Sequence, residues 1–196
     1  MIGLLVEIKG LQDERFQRPM QLLTNLFFEE SVVRLSQLPE AQLTASFIIE
    51  EEEKLHVSLE LQNHETNKTY CASIEKESLV LPDKEAFKYR KNTVLSVYLT
   101  ALQEMTGIIQ KWGYLTGIRP TKILHKALRE GMSKEDAHHM LREQFMISDE
   151  KINLMQRIID RQKEAIPDLY ELNREVSIYI GIPYCPTKCA YCTYPA

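Results

Sequence analysis

The sequence has a single tryptophan, and only 7 glycines and 8 prolines in 196 residues. That scarcity excludes collagen-like, low-complexity and wholly disordered chains. Long hydrophobic runs are missing too. No stretch approaches the roughly 18 uninterrupted apolar residues of a membrane span, and Met1–Lys9 lacks a signal peptide's basic start and long apolar core. Positive charge is not in excess: 24 Lys and Arg stand against 28 Asp and Glu, a net charge of -4, which is the wrong sign for a protein that coats nucleic acid. Neither a membrane nor a nucleic-acid partner is expected, and the chain reads as cytoplasmic. What remains is ordinary globular composition, 44% hydrophobic and 27% charged, enough to bury the core of one large or two small domains.

Hydrophobic periodicity divides the chain. Leu4, Val6 and Ile8 alternate with other residues, as in a strand ending near Lys9. Phe16, Met20, Leu23 and Phe27 then recur at helical spacing, with Pro19 delaying the helix start and its end placed near Glu30. Ala45, Phe47 and Ile49, then Leu55, Val57, Leu59 and Leu61, alternate like the arms of a hairpin whose tip is the acidic run Glu50–Glu53. Asn63–Asn67 offers a second turn into a strand through Tyr70, Ala72 and Ile74, where Cys71 reads as a small buried hydrophobe. Residues 1–80 are thus expected to form an α+β domain with a small, mainly antiparallel sheet and a helix.

Beyond Leu81-Pro82-Asp83 the period becomes helical. Leu95, Tyr98, Leu99, Leu102, Met105, Ile109 and Trp112 trace one face, and Gly113 and Gly117 break it. Pro120 opens a helix that stops at Gly131, Ser133 with Asp136 makes a cap for a helix ending near Phe145, and Ser148 caps another carrying Ile152, Met155, Ile159 and Ile166. Residues 81–172 form a helical segment on this reading. Val176, Ile178, Ile180 and Ile182 then alternate up to Pro183, which predicts a buried strand opening a third region, 173–196. Such a strand cannot bury both faces alone, so the sequence reads as a fragment that ends where a larger domain begins.

The four cysteines do not make a disulfide framework. Cys71 stands apart, whereas Cys185, Cys189 and Cys192 fall within eight residues as C-x3-C-x2-C, with Tyr191 immediately before the third. Three thiolates on one loop can hold three irons of a cubane cluster and leave the fourth iron open to a ligand. Two other uses of these thiols stay open: a zinc site, which needs a fourth ligand from elsewhere in the chain, and a redox pair at Cys189 and Cys192, which leaves Cys185 unexplained.

The spacing resembles the signature of the radical S-adenosylmethionine (SAM) enzymes. The lead-in Tyr179-Ile180-Gly181-Ile182-Pro183-Tyr184-Cys185 is similar to the Y-x-H-I-P-F-C of the oxygen-independent coproporphyrinogen III oxidases, and Thr116-Gly117-Ile118-Arg119-Pro120-Thr121-Lys122 within a helical amino-terminal extension resembles their coproporphyrinogen dehydrogenase branch in Bacillus-type bacteria. The resemblance implies an amino-terminal portion of such a protein, ending in the first strand and cluster loop of an incomplete α/β barrel. It implies a [4Fe-4S] cluster on Cys185, Cys189 and Cys192, with SAM on the fourth iron, Tyr191 beside the SAM adenine and Tyr179 near cluster and cofactor. Reductive cleavage of SAM would give a 5′-deoxyadenosyl radical that takes hydrogen from a coproporphyrinogen III propionate. Loss of carbon dioxide and an electron would leave a vinyl group. The implied partners are a porphyrinogen and an electron donor; the fragment alone is not expected to be catalytic. Gly181 stands in place of the family's histidine, and Tyr194 where the oxidases carry a further cysteine. The second departure is shared with relatives that act as haem chaperones, so a haem carrier, or a zinc-stabilised interaction module, is the alternative.

Elsewhere the residues favour plainer roles. Arg119, Lys122, Lys126 and Arg129 read as a solvated helical face before an anion site. His138 and His139 are adjacent and diverge on a helix, and His56, His64 and His125 are isolated; all read as surface or packing residues. Trp112 reads as core.

Overall fold

The computed structural model describes residues 4–171, 176, 178–182, 184–185 and 187–193. The chain forms β1 (Leu5–Lys9), a 3-10 turn (Glu14–Phe16), α1 (Gln17–Thr24), β2 (Val32–Arg34), β3 (Leu43–Glu51), β4 (Lys54–Asn63), β5 (Lys68–Glu77), α2 (Asp83–Thr106), α3 (Pro120–Arg129), α4 (Lys134–Phe145) and α5 (Asp149–Ala165). It is an α+β fold. The five strands form one sheet in the order β2-β1-β3-β4-β5.

The sheet is mixed. β1 runs parallel to both β2 and β3, while β3-β4 and β4-β5 are antiparallel hairpins. The mainly antiparallel expectation therefore holds for the hairpins and fails around β1. There α1 serves as the crossover of a β-α-β unit, returning the chain to a three-residue parallel strand that alternation did not announce. The acidic run lies at the β3-β4 tip. Asn63 builds the next turn, its Oδ1 accepting from Glu65 N and Thr66 N at 3.0 Å each.

Period two decides which residues leave water. Val6 and Ile8, Leu43, Ala45 and Phe47, and Leu55, Val57, Leu59 and Leu61 are all buried in the main core. The register places Ala45 opposite Leu61 and Phe47 opposite Leu59. α1 packs on β2 and α2, and α2 packs on β4 and β5. Phe47 meets Tyr98 edge-on at 6.1 Å between ring centres, and Phe16 meets Phe87 at 5.2 Å.

Several expected elements stop early or face elsewhere. α1 ends at Thr24, so Phe27 lies outside it. α2 ends at Thr106 because Gly107 turns left-handed at φ 71°; Ile109 is exposed and Trp112 sits in a turn, half-buried against the core. Cys71 is exposed, since the side chains of β5 that turn toward the helices are Tyr70, Ala72 and Ile74. Ser133 caps α4 as expected, its Oγ accepting from Asp136 N at 3.0 Å. Ser148 meets α5 only through its backbone carbonyl, which accepts from Ile152 N at 2.9 Å.

Two compact units are present, residues 1–159 and 160–196. The change of pattern near residue 80 marks where strands give way to helices within the first unit. In the second unit, Arg161 pairs with Glu164 at 3.1 Å and Lys163 Nζ lies 5.2 Å from the Tyr170 ring. The buried strand expected at 176–182 is not formed by its described residues: Val176, Ile178, Ile180 and Ile182 are exposed and carry no ladder. A strand needs neighbours to bond with, and the described residues supply none. Among the described residues no helix is long and apolar enough to cross a membrane.

Candidate functional site

The three clustered cysteines lie in the second unit. All three are free thiols, Cys185 and Cys189 exposed and Cys192 half-buried. Pro186 and Pro183 lie outside the described residues, as does Tyr194. From Cys189 to Cys192 the chain makes a tight turn closed by the Cys192 N–H donating to the Cys189 carbonyl at 3.1 Å. That turn sets the x2 spacing in space and presents Tyr191 outward, 89% exposed. Among the described residues no three His, Cys, Asp or Glu side chains are gathered as a metal cage. The loop is therefore a set of accessible soft donors, neither cross-linked nor sealed into a core. Such a donor set suits iron-sulfur or zinc ligation by its chemistry.

Tyr179 and Gly181 are coupled. The Tyr179 ring folds across Gly181, so that a Cβ at 181 would lie 2.9 Å from Cε1 of the ring. A side chain at 181 would have to move this ring, whereas glycine lets it lie along the backbone. Both tyrosines singled out in the sequence are solvent-facing, Tyr179 at 90%.

In the first unit the other candidates disperse. Lys122, Lys126 and Arg129 are exposed on α3, where Lys126 pairs with Glu130 at 3.7 Å; Arg119 precedes the helix in extended conformation and is exposed. His138 Nε2 lies 2.9 Å from Gln156 Oε1, joining α4 to α5, while His139 faces Glu143 at 4.0 Å. His64 Nε2 lies 2.8 Å from Thr44 Oγ1, and His56 lies 3.7 Å from Glu50. Lys151 Nζ stands 5.4 Å above Trp112.

Two features had no signal in the sequence. Burial pushes the Tyr98 phenol up to about 12 and raises Tyr114 further still. A groove of about 380 Å³ also lies between β5, α2 and the end of α4. Its walls come from three segments far apart in sequence.

The described residues thus present three free thiols close together in the sequence, two of them exposed. Over 192 residues, 97% of its length, the chain is 50% identical to a curated protein, the oxygen-independent coproporphyrinogen-III oxidase-like protein HemZ of Bacillus subtilis (strain 168). The resemblance seen in the loop and its lead-in thus extends along nearly the whole chain. The chain spans 38% of the length of that relative. No protein-family profile and no solved structure matches it.

Proposed function

We propose that this chain is the amino-terminal part of a cytoplasmic radical SAM oxidoreductase of the coproporphyrinogen III oxidase type. The observation that carries the reading is the free C-x3-C-x2-C loop in a chain half identical to an oxidase-like relative. Cys185, Cys189 and Cys192 are the thiolates that hold three irons of a [4Fe-4S] cluster. When bound, the cluster and SAM supply hydrogen-atom abstraction by one-electron reductive cleavage. The substrate is a porphyrinogen propionate; it gives up a hydrogen atom to the SAM-derived radical, carbon dioxide to solvent and an electron to a one-electron acceptor, and so becomes a vinyl group, while a separate electron donor serves the cluster.

The chain's own contributions are binding and orientation. The Cys189–Cys192 turn fixes the spacing of two donors. Tyr191, projecting from that turn, is the flat surface for the SAM adenine. Tyr179, laid along the backbone by Gly181, flanks the same loop. The exposed apolar residues of 176–182 are the first strand of a barrel completed by further polypeptide, which supplies the ladder they lack.

Tyr194, in place of a further cysteine, favours a second reading, a haem-binding relative built on the same cluster. The test is anaerobic reconstitution of the longest natural chain with iron and sulfide, then electron paramagnetic resonance of the reduced protein before and after SAM. About four irons and four sulfides, with a signal that SAM changes, are expected. Zinc without sulfide overturns the reading and leaves a structural module. Stoichiometric haem binding without SAM turnover selects the haem carrier.

A further inference from the structure

Two of the loop thiols are linked by the backbone that carries them. The Cys192 N–H donates to the Cys189 carbonyl at 3.1 Å, so these cysteines are the first and last residues of a tight turn through Ala190 and Tyr191. Such a turn brings its end Cα atoms within about 7 Å of each other. A disulfide spans Cα separations of roughly 4.4–6.8 Å. Among the described residues no turn bond of this kind joins Cys185 to Cys189 or Cys192.

Exposure orders the pair. Cys189 is exposed and Cys192 half-buried, both as free thiols. Oxidation of a thiol by a hydroperoxide follows its access to solvent, so Cys189 is the sulfur attacked first and Cys192 is the neighbour that resolves it. The Cys189 sulfur takes the terminal oxygen of the hydroperoxide and becomes a sulfenic acid. The O–O bond breaks, and the rest of the oxidant leaves as an alcohol, or as water where it is hydrogen peroxide. The Cys192 sulfur then displaces the sulfenic hydroxyl as a second molecule, water, and the S–S bond forms. Two thiol hydrogens are lost, and the two electrons given up by the sulfurs reduce the hydroperoxide.

We propose that Cys189 and Cys192 form a hydroperoxide-sensitive switch, closing as a disulfide across their turn and so withdrawing two of the three loop thiolates from metal ligation. The proposal rests on the reading that the loop holds a metal or cluster, and adds its regulation. Once the pair has closed, Cys185 is left as a single donor, too few to hold three irons of a cubane or to build a tetrahedral zinc site. The turn is accessible, and disulfides at exposed positions are labile ones. A dithiol reductant therefore reopens the pair and returns the loop to its ligating state.

The test treats the reduced, metal-free 196-residue chain with equimolar hydrogen peroxide, then blocks free thiols, digests with trypsin and weighs the peptides. Cleavage after Lys188 parts Cys185 from Cys189 and Cys192, and cleavage after Lys68 and Lys76 isolates Cys71. Peptide 189–196 is expected to be lighter by two hydrogens, with Cys185 and Cys71 still blocked as free thiols. Cys192→Ser is expected to stop at a sulfenic acid on Cys189 that dimedone traps. In the Cys71→Ser chain, the thiolate-to-metal absorption of added cobalt(II) is expected to fall at least about tenfold after peroxide and to return with dithiothreitol. Peptides 175–188 and 189–196 that stay joined until reduction, or no disulfide at all, overturn the proposal. So does an oxidised chain that binds cobalt(II) as the reduced one does. The iron and sulfide reconstitution above keeps the two readings apart. A cluster there with no Cys189–Cys192 disulfide here overturns the switch alone; zinc without sulfide there, with the disulfide mapped here, overturns the cluster and upholds the switch.

Discussion

Thr24 Oγ1 lies 2.9 Å from the Tyr98 hydroxyl, and both groups are fully buried. Thr24 spends its one proton on the Met20 carbonyl at 2.8 Å, so Tyr98 is the donor between them. The last turn of α1 is thereby tied to the middle of α2 inside the core.

Tyr98→Phe removes this bond and is expected to cost about 1 kcal/mol at pH 7. Burial pushes the Tyr98 pKa up to about 12. A folded-state value raised above the unfolded one means that the folded chain keeps its proton longer. Stability is therefore complete below about pH 10 and falls as pH rises through 12, by about 2–3 kcal/mol for this group. Urea unfolding at pH 7 and pH 11 checks both statements: the variant loses less on going alkaline. Tyr114, also raised by burial, contributes alkaline sensitivity in both chains.

The two serines that precede α4 and α5 are predicted to behave oppositely. Ser133 Oγ accepts the Asp136 N–H, so Ser133→Ala is expected to lose about 1 kcal/mol. The Ser148 hydroxyl is buried without a hydrogen-bond partner among the described residues. Ser148→Ala removes an unsatisfied group and is expected to be neutral or mildly stabilising. Thermal melts of the two variants decide this.

Glycine is required where the backbone turns left-handed against a neighbour. A Cβ at Gly10, at φ 83°, would lie 1.9 Å from the Phe47 carbonyl oxygen, and one at Gly113, at φ 60°, 1.7 Å from that of Phe145. Gly10→Ala and Gly113→Ala are each expected to cost at least about 3 kcal/mol, whereas Gly107→Ala, which meets nothing within 4 Å, is expected to cost about 1 kcal/mol. Denaturant midpoints at constant slope are the measurement.

Cys71 offers the control for the thiol loop. It is exposed on β5, opposite Glu60, so Cys71→Ser is expected to change stability by less than about 0.5 kcal/mol. In the reconstitution experiment Cys71→Ser is expected to keep its iron and sulfide, while alanine at 185, 189 or 192 loses them. Loss of iron from the Cys71 variant would assign it as a ligand.

By itself the sequence determined whatever depends on local spacing. The hairpins follow from alternation in Ala45–Ile49 and Leu55–Leu61, and the start of α3 from Pro120 and of α4 from Ser133. The thiol loop was legible for the same reason: three cysteines within eight residues are neighbours however the rest folds. Tertiary structure decided what depends on distant partners. α2 kept an apolar period beyond its end, but Gly107 reversed the chain and left Ile109 in water. β2 is three residues long and exists because α1 carries the chain back beside β1. Alternation placed Cys71 in a strand, but only the sheet order made that strand an edge. The segment 176–182 has the period of a strand, yet its described residues carry no ladder, because period is written in one segment and hydrogen bonds need two. The groove beside β5 is likewise invisible in one dimension: residues 74, 97 and 147 meet only once the sheet and helices have packed.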